Sequence, residues 1–311
     1  MQHYTHLNDV QLNQESLVTI GVFDGVHRGH AALIGQLVAA AKRLNRLAVV
    51  LTLFPHPDIV LRNEKGRYYL TAPEEKARLF GELGVDVVIT HPFDQSVRAV
   101  RAANFVDLLR DHLLMSGLWV TAEFALGYQR EGNFTFLKNQ GALKGFAVQE
   151  LTMLLDAEQR RISSQGIREA LIAGDVQRAG EWLGRPYRLQ GEVIHGDHRG
   201  RTIGFPTANL AVWEEQVIPA NGVYACYAQI DSEAERYQAV TNIGVRPTFG
   251  AADGVRIEAH LLDFDRDIYG RHVILELVER LRGEQKFPNL EGLIAQISAD
   301  AAEGRRILKE G

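Results

Sequence analysis

The chain has a single cysteine, Cys226, among its 311 residues. One thiol excludes an internal disulfide and a thiolate-ligated metal cluster. No uninterrupted apolar stretch approaches the ~18–20 residues that would span a bilayer. The segment Met1 to Val10 is polar and lacks the apolar centre of a secretory signal. Net charge is only −5 and no run of like charges occurs, so the clustered Lys and Arg of a nucleic-acid-binding surface are missing. Internal repeats and low-complexity tracts are absent too. What these absences leave is the expectation of a soluble, cytoplasmic globular protein whose partners include neither nucleic acid nor membrane.

The composition, 46% hydrophobic and 23% charged, suits chains that bury sizeable cores, and the length suggests about two domains at ~150 residues each. The most informative stretch is Gly21 to His30, GVFDGVHRGH. Before it, Leu17-Val18-Thr19-Ile20 reads as a buried strand. After it, Leu33, Ile34, Leu37, Val38, Ala41 and Leu44 recur with the period of an amphipathic helix. The motif thus occupies a strand-to-helix junction, where free backbone N–H groups and the helix dipole favour an anion such as phosphate. Gly21, Gly25 and Gly29 permit a tight turn and close approach to a ligand. His27 and His30, three apart, can share one face of the first helical turn and stabilise charge developing on a phosphorus. Separately, either a histidine or a glycine turn is commonplace; together, in this context, they point to phosphate chemistry.

Up to about Leu155, strand-like runs (Leu47 to Leu53, Val85 to Ile89, Leu118 to Ala122, Phe146 to Leu151) alternate with helical ones (Pro73 to Leu83, Ala102 to Leu114). That rhythm predicts a parallel sheet with helices on both faces, binding ligands at the carboxyl ends of its strands. Phe54-Pro55-His56-Pro57 and His91-Pro92 fall there as well, where His56 and His91 either line a pocket or shape loops. In Ile162 to Leu171 (ISSQGIREAL), Ser163 and Ser164 suit a helix cap and Arg168 offers a permanent cation for a triphosphate.

From Gly184-Arg185-Pro186 onward the pattern changes to short strands: Tyr187 to Ile194, Gly222 to Ile230, Gln238 to Ile243, Val255 to Leu262 and His272 to Val278. Evenly spaced short strands with turn residues between them predict a small β-barrel, and Asn289 to Leu308 returns to helical spacing. The expected boundary is 1–183 and 184–311. Gly191 to Leu210, GEVIHGDHRGRTIGFPTANL, carries Gly191, Gly196, Gly200 and Gly204, a loop able to wrap phosphates through backbone amides. Thr207 and Asn209, two apart, would face the same way if extended, and their oxygens are hard ligands suited to Mg²⁺. The plainer alternative is a hairpin followed by an edge strand.

These motifs carry a resemblance. GVFDGVHRGH resembles the HxGH signature of the nucleotidyltransferase superfamily in its flavin adenylyltransferase form, and the barrel string resembles the GxxxGRxxGFPTxN signature of riboflavin kinase. In order and over nearly its whole length, the chain is similar to the bacterial bifunctional riboflavin kinase/FAD synthetase family. The resemblance implies a Rossmann-like α/β nucleotidyltransferase domain, then an antiparallel β-barrel kinase domain with a C-terminal helix. It implies ATP as co-substrate, riboflavin and FMN as partners, and Mg²⁺. By it, Gly21, Phe23, Asp24, Gly29, Ser163, Ser164 and Arg168 would bind ATP for adenylyl transfer, with His27 and His30 catalytic. Gly196, Gly200, Arg201, Gly204 and Thr207 would bind ATP for phosphorylation. Phe124, Gly127 and the loop residues Arg246, Pro247 and Thr248 would meet flavin; Thr207 and Asn209 would hold Mg²⁺; Glu258 would be the base of the kinase. Arg282, Lys286 and Phe287 match the family's RxxxKF. Departures occur at Thr121, Glu123, Leu126 and Gln165, where the family carries Gly, Asp or Asn, an aromatic, and Thr. They keep open a riboflavin kinase with a degenerate or altered adenylyltransferase domain; a flavin- or nucleotide-binding regulator without turnover is the other alternative.

Overall fold

The computed structural model describes residues 1–151, 161–196, 200, 203–245 and 254–310. Contacts divide the chain into two compact units, Met1–Ser164 and Gln165–Gly311, so the residues from Gln165 to Leu183 group with the second unit.

The first unit is built on strands β1 (Gln2–Tyr4), β2 (Ser16–Ile20), β3 (Leu47–Phe54), β4 (Val87–Pro92) and β5 (Met115–Val120). A short pair, β6 (Ala125–Leu126) and β7 (Gly132–Asn133), precedes β8 (Ala147–Glu150). The other six strands form a parallel sheet in the order β1-β4-β3-β2-β5-β8. Its helices are α1 (Arg28–Arg43), α2 (Pro57–Arg62), α3 (Pro73–Glu82), α4 (Gln95–Arg98), α5 (Ala102–Leu113) and α6 (Phe134–Lys144). Because successive side chains on a strand face opposite ways, β2 sends Val18 and Ile20 into one core with Leu109, Leu113 and Leu137 of α5 and α6. Leu17 enters the other core, among Ile34 and Leu37 of α1 and Phe80 of α3. The sheet is therefore covered on both faces, as the near-continuous apolar runs required. Strand order reverses between β2 and β5, and the crevice at such a switch point is where an open α/β sheet receives ligand. GVFDGVHRGH leaves β2 there.

The second unit opens with α7 (Ser164–Ala173) and α8 (Val176–Leu183). Six antiparallel strands follow: β9 (Tyr187–Ile194), β10 (Ala208–Val212), β11 (Gly222–Ile230), β12 (Arg236–Val245), β13 (Val255–Leu261) and β14 (His272–Arg282). They close as β10-β13-β12-β11-β14-β9. The segment for which an edge strand was the plainer alternative, β10, pairs on both sides, with β9 and β13. Closure needs Gly191, because a Cβ there would lie 2.1 Å from the Ala211 carbonyl oxygen. A last helix, Leu290–Glu310, packs on β11, β12 and β14.

Candidate active sites

In the first unit a cavity of about 250 Å³ opens at the end of β2. Gly21, Phe23, Asp24, His30, Phe124 and Ser164 line it, all expected from sequence; His56, Thr121 and Arg161 join them. His91 is not in its wall; the Nδ1 of that ring accepts the Leu7 N–H at 3.3 Å. His27, Gly29, Gly127, Ser163 and Arg168 are not in the wall either. Gly127 adopts φ 76° where a Cβ would strike Ala102 at 2.6 Å, so its role in the structure is close packing.

His27 and His30 stack with ring centroids 3.5 Å apart and 19° between planes. His27 caps α1: its Nδ1 accepts the His30 backbone N–H at 3.3 Å. A nitrogen that accepts carries no proton, so the neutral ring holds its proton on Nε2, which becomes a donor. His30 is held well below the usual imidazole range, first by burial, then by the charges of His27, Lys76 and Arg161. Its Nδ1 is buried without a hydrogen-bond partner. An orphaned polar atom costs about 1–3 kcal/mol, which a ligand atom placed there would recover. The edge of Phe23 packs against His30 at 5.2 Å. Phe23 adopts the left-handed region at φ 51°, and its ring lies where a Cβ on Gly21 would sit, 2.6 Å away.

Asp24 is 3% exposed and its carboxylate accepts the N–H groups of Leu70 (3.0 Å) and Thr71 (3.3 Å). Ser164 Oγ donates to the Asp24 carbonyl at 2.9 Å, tying the second serine of ISSQ to the glycine turn. Arg161, which the sequence reading passed over, carries its charge into the cavity wall and pairs with Glu123 at 3.1 Å. Lys76 was also missed: it is buried, and its Nζ donates to the Val22 carbonyl at 3.0 Å. Gln165 and Arg168 lie on α7; the Gln165 amide bonds Glu169 (3.0 Å) and accepts from Arg168 (3.5 Å).

In the second unit two cavities adjoin, of about 450 Å³ and about 340 Å³. Thr207 lines both. Glu258 on β13 lies opposite Asn209 on β10 and Asn242 on β12; β13 alternates buried and half-buried, so these polar residues share the outer face of the barrel. Arg256 pairs with Glu258 at 2.8 Å and its Nε donates to Asn209 Oδ1 at 3.3 Å. Thr207 Oγ1 reaches Glu258 Oε1 at 3.5 Å. The two oxygens expected to face together, those of Thr207 and Asn209, thus converge on one ion pair. Gly196 leaves room for the Asn209 amide, which would lie 2.2 Å from a Cβ; Gly200 likewise admits the Phe205 carbonyl at 2.3 Å. Gly204 takes φ 86°. The smaller cavity is walled by Val223, Val240, Phe287, Leu293 and Ile297 beside Glu258 and Arg282. The larger has Asp265, Arg266, Asp267 and Tyr269. Arg201, Arg246, Pro247 and Thr248 lie outside the described residues. Among the described residues no group of three His, Cys, Asp or Glu could hold a metal, so a cation here would rely on hydroxyl, amide, water and substrate oxygens, the donor set Mg²⁺ favours.

Comparison with known proteins agrees with this division. A family model described as FAD synthetase matches residues 9–166, and one described as riboflavin kinase matches residues 183–308. A bifunctional riboflavin kinase/FMN adenylyltransferase of Escherichia coli strain K12 is 40% identical over 300 residues, covering 95% of this chain and 94% of that one. The protein of the same description from Bacillus subtilis strain 168 is 35% identical over 312 residues, covering 98% and 96%. A solved structure described as a macrolide-efflux protein from Streptococcus pneumoniae has a TM-score of 0.88 and 30% identity, over 97% of this chain and 98% of that one. Among the described residues no helix is long and apolar enough to cross a membrane, and efflux is not carried over to this chain.

Proposed function

The chain belongs to the bifunctional riboflavin kinase/FMN adenylyltransferase family, and we propose that its two sets of cavities divide the two reactions. In the first, riboflavin and ATP give FMN and ADP. In the second, FMN and another ATP give FAD and pyrophosphate. The observation that carries the division is that each cavity is lined by residues of one unit alone.

In the barrel, the base must reach the alcohol it activates. Glu258 lines the smaller, more apolar cavity, so riboflavin takes that one, its ring among Val223, Val240 and Phe287. ATP takes the larger, with its terminal phosphate toward Thr207, the residue common to both. Glu258 accepts the proton of the ribityl 5′-hydroxyl as that oxygen attacks the γ-phosphorus, and ADP leaves. Arg256 holds Glu258 in place and adds positive charge beside the transferring group. Thr207 and Asn209 would hold Mg²⁺, which supplies charge neutralisation at the ATP phosphates.

In the first unit, the FMN phosphate oxygen attacks the α-phosphorus of ATP and pyrophosphate leaves. The uncharged His30 ring, which lines the cavity with His27 stacked against it, donates to the α-phosphoryl oxygens as charge builds on them. Arg161 attracts the leaving pyrophosphate, and Phe124 offers a face to an aromatic ring. Positioning and charge stabilisation are most of what such transfers need.

A His30→Ala variant is expected to slow FAD formation by ~10²–10³-fold, the usual cost of one transition-state donor, with FMN formation unchanged. Glu258→Ala should slow FMN formation by ~10²–10⁴-fold while FMN supplied directly is still converted to FAD. Chromatographic assay of riboflavin, FMN and FAD reads both. Equal loss of the two activities in either variant would refute the division.

A further inference from the structure

Lys76 is 3% exposed on the first turn of α3, a place where a charged residue ordinarily faces water. Its neighbour Glu75 does not neutralise it, being engaged by Arg78 at 2.7 Å. The ammonium instead donates to the Val22 carbonyl at 3.0 Å, and that same carbonyl accepts Thr52 Oγ1 from β3 at 2.9 Å. Two donors therefore fix the peptide that precedes Phe23. Phe23 sits in the left-handed region, and its ring edge sets one side of the His30 imidazole. The Asp24 carboxylate attracts Lys76 electrostatically while serving as acceptor for Leu70 and Thr71. A buried cation one residue from the phosphate turn is costly to keep, and nothing in the packing of α3 requires a charge there.

We propose that Lys76 is a positioning residue for adenylyl transfer: it pins the Val22 carbonyl so that Phe23 orients His30, and it sets a positive charge behind the turn that receives phosphate. The proposal rests on the first unit being the adenylyl-transfer site. The charged and titratable groups facing Lys76 are Asp24 from the turn and His30 from α1; Glu74 and Glu75 belong to its own helix. Burial lowers the lysine to about 8, with Asp24 pulling the other way. The sign follows: the ammonium is present below that pH and lost as pH rises through it. A bound triphosphate adds negative charge nearby and shifts the loss to higher pH. The alkaline fall therefore belongs to kcat/KM for ATP, which reports the free enzyme, more than to kcat.

The test uses the full chain, with FMN, ATP and Mg²⁺, and follows FAD formation between about pH 6.5 and 9.5. Riboflavin phosphorylation by the same protein is the internal control. Wild type should lose kcat/KM for ATP above pH ~8, with kcat falling only at higher pH. Lys76→Arg, charged throughout this range, should abolish that limb. Lys76→Met should lower FAD formation at pH 7 by about 100-fold, the scale of a small misplacement of catalytic groups, with FMN formation and the unfolding temperature unchanged. The proposal is overturned by a wild-type FAD rate in Lys76→Met, by the same limb in Lys76→Arg, or by a fall in unfolding temperature that tracks the lost rate. Wild type making no FAD at any pH would instead remove the adenylyl-transfer reading itself.

Discussion

Glu123 stands where the resembled pattern carries Asp or Asn, and the structure gives the substitution a consequence. The longer side chain reaches Arg161, which lines the cavity, at 3.1 Å. Both side chains are more than half exposed, so the pair adds under about 1 kcal/mol to stability. It does engage the cation proposed above to attract the phosphates of ATP. Glu123→Asn should therefore leave stability unchanged and lower KM for ATP in FAD formation a few-fold, as a steady-state titration would read; an unchanged or raised KM would contradict this. The other departures are absorbed differently. Leu126 is 8% exposed within a hydrophobic core, Thr121 joins the cavity wall, and the Gln165 amide is spent within its own helix on Glu169 and Arg168.

At the scale of elements, the kinase cavity depends on how the last helix, Leu290–Glu310, is fixed to β14. Arg282 makes paired bonds to Asp300 at 3.0 Å and 2.7 Å, and Gln296 adds a third donor at 2.9 Å. Arg282 and Asp300 both line the cavity and both are largely buried. Removing one partner of such a pair strands the other charge, at a cost of about 3–5 kcal/mol. Asp300→Ala should lower stability by about that much in urea titration and raise KM for riboflavin, because Leu293 and Ile297 of that helix wall the cavity. Retained stability would show that the pair is well solvated.

Elements differ in how far the sequence revealed them. β9 and β11 match their read spans residue for residue, since β9 alternates apolar and polar residues after Pro186 and β11 is a near-continuous apolar run opening on Gly222. β1 escaped notice: it has three residues, mostly exposed, and owes its state to pairing with β4 rather than to any pattern of its own. PTAN taken alone fitted an edge strand, the plainer alternative; that β10 pairs on both sides, with β9 and β13, depends on segments outside that string. That His30, Ser164, Thr207 and Glu258 line cavities was legible because their residue types and spacings match chemistry. Arg161 and Lys76 were not, since a lysine after two glutamates reads as a solvated helix start, and only the fold buries it.

At the scale of the whole molecule, the proposed division has two chemical sites on one chain without shared residues. Each unit supplies its own cavities, and FMN is the product of one and the substrate of the other. If so, two proteins broken at different sites must restore each other in solution. The most direct measurement mixes His30→Ala with Glu258→Ala, supplies riboflavin, ATP and Mg²⁺, and follows FAD. The first variant should make and release FMN, and the second should convert it, so FAD accumulates in the mixture after a lag while neither variant alone yields it at a comparable rate. No FAD from the mixture, with FMN accumulating instead, would contradict the assignment of two separable sites.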